Sequence, residues 1–253
     1  MANSPPSLHS VIPMLRTILR HILLLIGRIL SKLIFKLTIT GQEHLPSANN
    51  SPLLIISNHF SWFEPFLLGI HLRQYNIRFY AAAELKENLL LRPIFYTFRP
   101  ILVRRGQVDR QALSEAIQTL QAGGTIAIFP EGGIDPNLRE RISRGEMVAG
   151  VQGQTFRENA QLIEARPGAA YLAVRTQAPI LPVAFLGTEQ TLNNLRRGRR
   201  TAVSMTIGPH FGPFPPLPKM EKHQRRHHLN QLTDTIMRQL ADLLPPANRG
   251  PYQ

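Results

Sequence analysis

The sequence contains no cysteine, so neither a disulfide framework nor a thiol nucleophile is available to it. Acidic residues are also scarce: 16 Asp and Glu stand against 29 Lys and Arg, which leaves a formal net charge of +13. A cationic excess of this size indicates an anionic partner, which is a membrane surface, a nucleic acid, or a phosphorylated or CoA-like substrate. The absence of cysteine fits a reducing compartment.

Long uncharged hydrophobic runs are missing as well. Residues 11–36 are rich in Leu and Ile, but cations interrupt them and leave no run of the roughly 18 apolar residues that a transmembrane helix requires. On a helical wheel, eight apolar residues share an arc of about 140° and the cations lie opposite, which favours a helix on an anionic membrane surface over a domain-packing helix or a signal peptide. The apolar residues are Ile18, Leu19, Ile22, Leu23, Ile26, Ile29, Leu30 and Leu33, and the cations are Arg16, Arg20, Arg28, Lys32 and Lys36.

Beyond this segment, predicted strands and helices alternate, which is typical of an α/β domain. We expect residues 1–35 to form a tail and the membrane-association helix, 36–245 the main domain, and 246–253 a Pro-rich disordered tail. Residues 134–165 are polar and predict a long excursion. The predicted strands are 36–40, 53–56, 77–82, 101–103, 125–129, 180–186 and 203–207, and the predicted helices are 65–72, 85–98 (broken at Pro93), 109–121, 167–177 and 225–244.

The central feature of the chain is an Asn58-His59 pair that follows the apolar strand 53–56, with Glu64 and Pro65 close behind. On a helix, a five-residue offset would place His59 and Glu64 about 140° apart, so the pair requires a loop that folds Glu64 back. A carboxylate that fixes the imidazole tautomer creates a general base for a hydroxyl proton. A strand-end histidine bonded to the backbone has the same spacing, so the residues alone leave both interpretations open.

Two more strand ends carry polar or glycine-rich sequence. Phe129-Pro130-Glu131-Gly132-Gly133 offers a carboxylate and backbone N–H groups that glycine allows to approach an anion, although such a sequence is also a common turn. Val103-Arg104-Arg105-Gly106 ends another strand, where an arginine binds a phosphate or simply remains solvated. Active groups of an α/β domain lie where its strands end.

Taken together, these segments resemble the motifs of the glycerolipid acyltransferase family, which includes the 1-acylglycerol-3-phosphate (lysophosphatidic acid) acyltransferases. The resemblance covers about residues 36–210, and its motifs occur in the family's order. Asn58-His59 matches the first motif, with Glu64 in the usual Asp position. Residues 101–105 match the second motif, with Arg105 as its arginine, residues 129–132 match the third, and residues 179–183 match the fourth. Residues 166–170 match a basic-x-Gly-Ala step that precedes a helix in the family. Gly133-Ile134 departs from the Thr and polar residue of the third motif, and Arg139 or Arg141 would have to substitute.

The resemblance implies a mixed sheet flanked by helices and a transfer of a fatty acyl group from acyl-CoA or acyl-acyl carrier protein to a lysophospholipid hydroxyl. His59 would deprotonate the hydroxyl and Glu64 would orient His59, without an acyl-enzyme, metal or other cofactor. Arg105, Glu131, Gly132 and Arg166 would hold the acceptor. The expected location is the cytoplasmic face of a membrane, and the expected pathway is phospholipid biosynthesis.

Alternatives stay open at this point. The acceptor is either a lysophospholipid or a different lipid or alcohol, and the chain is either an active enzyme or a catalytically weakened lipid-binding protein. His223, His227 and His228 have helical spacing, but no Cys or carboxylate pattern completes a metal site around them. Arg196-Arg197 and Arg199-Arg200 lack the stacking aromatics of a nucleic-acid surface, so no nucleic-acid partner is expected.

Overall fold

A seven-stranded mixed sheet forms the centre of the protein in the computed structural model, which describes residues 8–48, 51–104, 109–134, 156–157 and 159–253. The strand order is β1-β7-β6-β2-β5-β3-β4, and neighbouring strands are parallel except β6 and β7. The strands are β1 Phe35–Thr40, β2 Leu53–Ser57, β3 Arg78–Ala82, β4 Ile101–Val103, β5 Thr125–Ile128, β6 Ile180–Leu186 and β7 Thr201–Ile207.

Helices cover both faces of this sheet, so the predicted α/β fold is confirmed. Every residue of β2 is buried, as a central strand with covered faces requires. Its alternating side chains enter two cores, with Leu54 and Ile56 on one face of the sheet and Leu53 and Ile55 on the other. The described helices are α1 Leu8–Ile34, α2 Phe63–His71, α3 Arg92–Phe98, α4 Arg110–Gln121, α5 Gly168–Thr176, α6 Thr191–Arg196 and α7 Lys222–Ala241.

Helix boundaries follow the local chemistry of the sequence. Asp109 caps α4, because its Oδ1 accepts a hydrogen bond from the Ala112 N–H at 3.0 Å. The predicted helix 85–98 is instead a 3₁₀ turn, Ala83–Glu87, followed by α3, and Pro93 lies in the first turn of α3 where a missing N–H costs little. Helix α7 begins earlier than expected, because Glu221 and Gln224 form a capping box.

The C-terminal residues differ from the predicted disordered tail. Pro246–Asn248 and Gly250–Tyr252 form 3₁₀ turns, and the Tyr252 ring is buried in the core beside α7. The Tyr252 hydroxyl accepts a hydrogen bond from the Ala165 N–H at 2.8 Å. Burial of this one aromatic ring explains why a Pro-rich segment is ordered here.

Helix α1 packs on the domain next to α2 and α3. Leu24, Gly27 and Ser31 are buried, and a Cβ on Gly27 would lie 2.8 Å from Ile70 Cδ1, so this contact requires glycine. The opposite side is solvent-exposed and apolar. Its exposed large residues are Met14, Leu15, Ile18, Ile22, Leu25, Ile26, Ile29, Leu30 and Leu33.

Candidate active site

The candidate site begins where β2 ends. Asn58 is fully buried and bonds twice to β6: its Nδ2 donates to the Phe185 carbonyl at 2.9 Å, and its Oδ1 accepts from the Phe185 N–H at 2.8 Å. The Asn58 amide thereby makes the same two hydrogen bonds to β6 that the backbone of one more strand residue would make. This fixes the backbone from which His59 projects.

His59 and Glu64 meet in the loop between β2 and α2. Helix α2 begins at Phe63, so Glu64 lies in its first turn while His59 lies outside it. The Nδ1 of His59 lies 3.2 Å from Glu64 Oε2, within the range of a general-base pair. The carboxylate of Glu64, which is one methylene longer than the Asp expected at this position, therefore contacts the imidazole.

Three donors surround the buried Glu64 carboxylate besides His59. The Ser61 N–H donates at 2.9 Å and the Ser61 Oγ at 3.1 Å to Glu64 Oε1, and the Thr188 hydroxyl makes a very short bond to the same oxygen. A site with only donors suits an ionised carboxylate, which accepts and does not donate. The His59 proton is then held on Nδ1, and Nε2 is left as the basic nitrogen.

The imidazole of His59 is fixed from a second side. Its ring stacks on Phe129, with 4.3 Å between centroids and 24° between planes. The side chain is 18% exposed, and Nε2 has no hydrogen-bond partner among the described residues. This nitrogen is therefore available to an incoming hydroxyl group.

Glu131 lies under this site rather than at its surface. Its Oε2 accepts from the backbone N–H of His59 at 2.8 Å, and its Oε1 accepts from Arg157 at 2.5 Å and from the Ile163 N–H at 3.0 Å. The Glu131 carboxylate is buried, so in this structure it holds the loop between β2 and α2. The prediction that it contacts the acceptor stays a prediction.

Arg157 completes this buried network and was not expected from the sequence. The guanidinium donates to the carbonyls of Gly133 and Ile134, each at 3.1 Å, and lies 5.2 Å from the centroid of the Phe60 ring. Its backbone N–H also donates to the Phe60 carbonyl at 2.8 Å. Arg157 thus ties the loop after β5 to the loop after β2.

Gly132 and Arg166, both predicted to bind substrate, lie together. Gly132 has φ +78°, and a Cβ there would lie 2.8 Å from Arg166 Nε, so the guanidinium rests directly on the glycine. The exposed side chain of Arg166 leaves its charge available to a ligand. Arg105, Arg139 and Arg141 lie outside the described residues.

Sequence reasoning missed several residues that build the site. Ser61 stands in the expected loop, and an N-cap-like Ser three residues before Glu64 was a usable signal. Thr188 and Arg157 are 124 and 26 residues away from the carboxylates they bind, and no local pattern marks them.

A cavity of about 950 Å³ opens next to this network. Its walls include Phe156 and Arg157, the exposed β1 residues Lys36 and Thr38, and Gly187, the neighbour of Thr188. The volume lies within the range of small-molecule sites, which makes the cavity a candidate cleft for a substrate. Across the ranges that the structure describes, no cluster of three His, Cys, Asp or Glu side chains is suited to a metal ion.

A model of the Acyltransferase family matches residues 36–186, which are more than half of the sequence and include the whole loop from His59 to Glu64. The chain belongs to the acyltransferase family. The predicted resemblance is therefore confirmed, and the protein is an acyltransferase enzyme. Membership implies an acyl donor and a lysophospholipid acceptor.

Two similar proteins carry the names of acyltransferases for lysolipid acceptors. A 1-acyl-sn-glycerol-3-phosphate acyltransferase of Bacillus subtilis is 21% identical over 205 residues, which are 80% of this chain and 85% of the relative. A lyso-ornithine lipid O-acyltransferase of Pseudomonas aeruginosa is 24% identical over 189 residues, or 72% of this chain and 66% of the relative.

The fold is also that of a solved acyltransferase structure. The 1-acyl-sn-glycerophosphate (LPA) acyltransferase PlsC of Thermotoga maritima superimposes with a TM-score of 0.56 at 21% identity, over 86% of this chain and 78% of that one. At this identity the match establishes the shared mixed α/β fold.

Proposed function

We propose that this acyltransferase transfers a fatty acyl group from acyl-CoA or acyl-acyl carrier protein to the free hydroxyl of 1-acylglycerol-3-phosphate. The observation that carries the reaction is the open Nε2 of His59 on an imidazole that Glu64 holds through Nδ1. The acceptor is suggested by the Bacillus subtilis relative, whose alignment covers most of both chains.

In the proposed reaction, His59 Nε2 takes the hydroxyl proton while the acceptor oxygen attacks the thioester carbonyl carbon. The new C–O bond forms, the C–S bond breaks, and the imidazolium returns its proton to the departing thiolate. Glu64 stabilises the transient positive charge on His59 across 3.2 Å. No covalent acyl-enzyme is needed, because the acceptor oxygen itself is the nucleophile.

Positive charge near the loop after β5 provides the proposed site for the acceptor headgroup. Arg166 is exposed and rests on Gly132, and no carboxylate of the described residues pairs with its guanidinium, which suits it to bind a phosphate. Glu131 acts indirectly, because its carboxylate is occupied by His59 N–H and Arg157. Arg105 keeps its proposed role as a second phosphate ligand.

A lysolipid with an ornithine headgroup is the second candidate acceptor. The Pseudomonas aeruginosa relative, named for that acceptor, is slightly more similar in sequence over its aligned part. Gly133-Ile134, where the acyltransferase motif has Thr and a polar residue, removes a side chain from the loop beside Arg166 and favours a difference in headgroup.

We further propose that α1 docks the enzyme on an anionic membrane surface, on the cytoplasmic face where acyl-CoA and acyl-acyl carrier protein are available. Its apolar residues point away from the domain, with Ile22 48% and Leu33 65% exposed, and its cations lie on the other sides. Within the described residues, no helix has both the length and the apolar character needed to cross a bilayer. An in-plane orientation accounts for both facts.

The test is acyl transfer from radiolabelled acyl-CoA, and separately from acyl-acyl carrier protein, to each lysolipid in anionic vesicles. His59→Ala should lower the rate by about 10²–10⁴-fold, because it removes the general base. His227→Ala, at an exposed position on α7, is the matched control and should retain the full rate. A His59→Ala rate equal to that of the control would contradict the mechanism, and transfer only to the ornithine lysolipid would select the second acceptor.

A further inference from the structure

A second cavity lies between α1 and the turn Arg73–Tyr75, and none of the residues assigned to the active site lines it. Its volume is about 490 Å³. Three arginines, Arg20, Arg28 and Arg73, share its wall with Leu24 and Leu25. A cavity with clustered cations and an apolar floor has the chemistry of a site for an amphiphilic anion.

In the part of the chain that the structure describes, the cations around this cavity have no carboxylate partner. Neither residues 1–42 nor residues 65–83 contain an Asp or Glu. Among the described residues, no ion pair involves Arg16, Arg20, Arg28 or Arg73. Burial, together with the nearby charges of Arg16 and Arg73, lowers the pKa of Arg20, as expected for cations crowded without an anion.

One donor at the cavity is also unused. Arg20 donates from Nη2 to the Arg73 carbonyl at 3.0 Å, which holds the guanidinium against the turn. Its Nε is buried and has no hydrogen-bond partner in the described structure. A buried donor without an acceptor is costly, so a ligand oxygen in the cavity would remove that cost.

The cavity is continuous with the apolar surface of α1. Leu25 lines the cavity and is 61% exposed, and it neighbours Ile18, Ile22 and Ile29 on the same helical face. A ligand that uses both features therefore has a phosphate next to a hydrocarbon chain. A free phosphate would contact the arginines alone and leave the apolar face uncovered.

We propose that this cavity binds the phosphate headgroup of an anionic phospholipid, whose acyl chain lies along the exposed face of α1. The lipid at this site is not a substrate, because the cavity shares no residue with the His59–Glu64 centre. The bound lipid anchors α1 and sets the orientation of the enzyme on the membrane. The inference rests in part on the proposed membrane docking of α1.

The experiment measures vesicle binding by full-length protein in the His59→Ala background, so that no turnover consumes lipid. Phosphatidylcholine vesicles with and without phosphatidic acid are compared by co-sedimentation for Arg20→Gln, Arg73→Gln and Lys32→Gln. Lys32 is the matched control, because it is an exposed cation of α1 that does not line the cavity. Melting temperatures of all variants report their folding.

We expect Arg20→Gln and Arg73→Gln each to weaken binding to phosphatidic acid vesicles by about tenfold or more, since each removes a charge-assisted hydrogen bond. Lys32→Gln should weaken it by about fivefold or less, as one cation near an anionic surface does. Equal losses for all three variants would overturn the site and leave only diffuse electrostatic attraction.

A second experiment, in solution without vesicles, distinguishes a lipid ligand from free phosphate and does not depend on membrane docking by α1. Short-chain phosphatidic acid should raise the melting temperature of the parent protein and not that of Arg20→Gln, whereas inorganic phosphate and short-chain phosphatidylcholine should have little effect. Stabilisation by inorganic phosphate as large as that by the lipid would overturn the lipid assignment. If the parent protein fails to bind vesicles, the proposed membrane docking by α1 is wrong. The melting temperatures with short-chain phosphatidic acid then decide by themselves whether the cavity binds the lipid. Acyl transfer is measured separately, so none of these outcomes depends on it.

Discussion

Two glutamates stand at the carboxyl ends of the neighbouring strands β2 and β5, and the protein uses them differently. The side chains of Glu64 and Glu131 are both fully buried. Glu64 faces His59, which is 18% exposed, whereas Glu131 faces Arg157, which is 3% exposed. A substrate is able to contact the partner of Glu64, so this carboxylate is placed to affect the reaction. The partner of Glu131 is buried, so this ion pair is placed to hold the fold together.

Both glutamates nevertheless act on the same residue. Glu64 binds the ring of His59 at Nδ1, and Glu131 binds its backbone N–H at 2.8 Å. One carboxylate therefore sets the chemistry of the imidazole and the other sets its position. The two roles separate cleanly when activity and stability are measured on the same variants.

The largest expected effect comes from Arg157→Met, which leaves Glu131 buried without its ion pair. We expect the free energy of unfolding to fall by about 3–5 kcal/mol, the usual cost of breaking a buried pair from one side. Urea unfolding followed by circular dichroism measures this loss. The double variant Glu131→Gln/Arg157→Met removes both charges and should recover most of the stability, and a single variant within about 1 kcal/mol of the parent would contradict the architectural role.

Glu64→Gln should affect catalysis more than folding. The substitution keeps the side-chain length but removes the negative charge that stabilises imidazolium at His59. We expect kcat to fall by about 10²-fold or more. The loss of stability should be smaller than that of Arg157→Met. Glu131→Gln is the matched comparison: if it lowers kcat as much as Glu64→Gln does at equal folded fraction, the division of roles between the two glutamates is wrong.

A smaller effect is expected from Glu64→Asp, which restores the residue usual at this position in the acyltransferase motif. The shorter side chain keeps the charge but loses reach, while the loop is built for a carboxylate that contacts His59 Nδ1, Ser61 N–H and Thr188 together. Loss of one such hydrogen bond should lower kcat by about tenfold. Initial rates under saturating acceptor measure this change, and an unchanged or faster rate would show that the loop adapts to either length.

The sequence was sufficient to predict the parts of this site that lie close together along the chain. Apolar runs bounded by turns located the strand before His59 and the strand before Glu131, and the five-residue spacing required the loop that the structure shows. Active groups of an α/β domain lie where its strands end, which is why both carboxylates were considered as site residues.

Partners distant in sequence were not predictable. Arg157 reaches Glu131 only because its segment pairs with the loop after β2, through a bridge between Phe156 and Ser61. Nothing local in a polar stretch distinguishes this arginine from a solvated one. The sequence therefore offered no sign of the buried ion pair between Arg157 and Glu131.

The C-terminal segment is a second case in which contacts with residues distant in sequence were not predictable. Its prolines indicated disorder, but Tyr252 fills a place in the core and Asn248 accepts a hydrogen bond from the Leu162 N–H at 2.9 Å. Composition predicts whether a segment forms a regular helix or strand. It does not predict whether one side chain finds a cavity of matching shape.

The smallest expected effect involves His71, which pairs with no carboxylate of the described residues and so contrasts with His59. Its Nε2 lies 3.3 Å from Ser31 Oγ at the contact between α1 and α2. Burial, and secondarily the charge of Arg28, lower the pKa of His71 below its ordinary value of 6.5. The unfolded chain therefore binds this proton more readily than the folded chain does.

The sign of the pH dependence follows from that difference. As pH falls from about 6.5 through the lowered pKa of His71, protonation favours the unfolded state and the free energy of unfolding decreases. His71→Gln removes this contribution, so the parent should lose stability relative to the variant on acidification, by less than any effect above. Urea unfolding of both proteins on either side of pH 6.5 measures the difference. If the free energy of unfolding changed with pH equally in the parent and the variant, the α1–α2 contact would admit a charged imidazole.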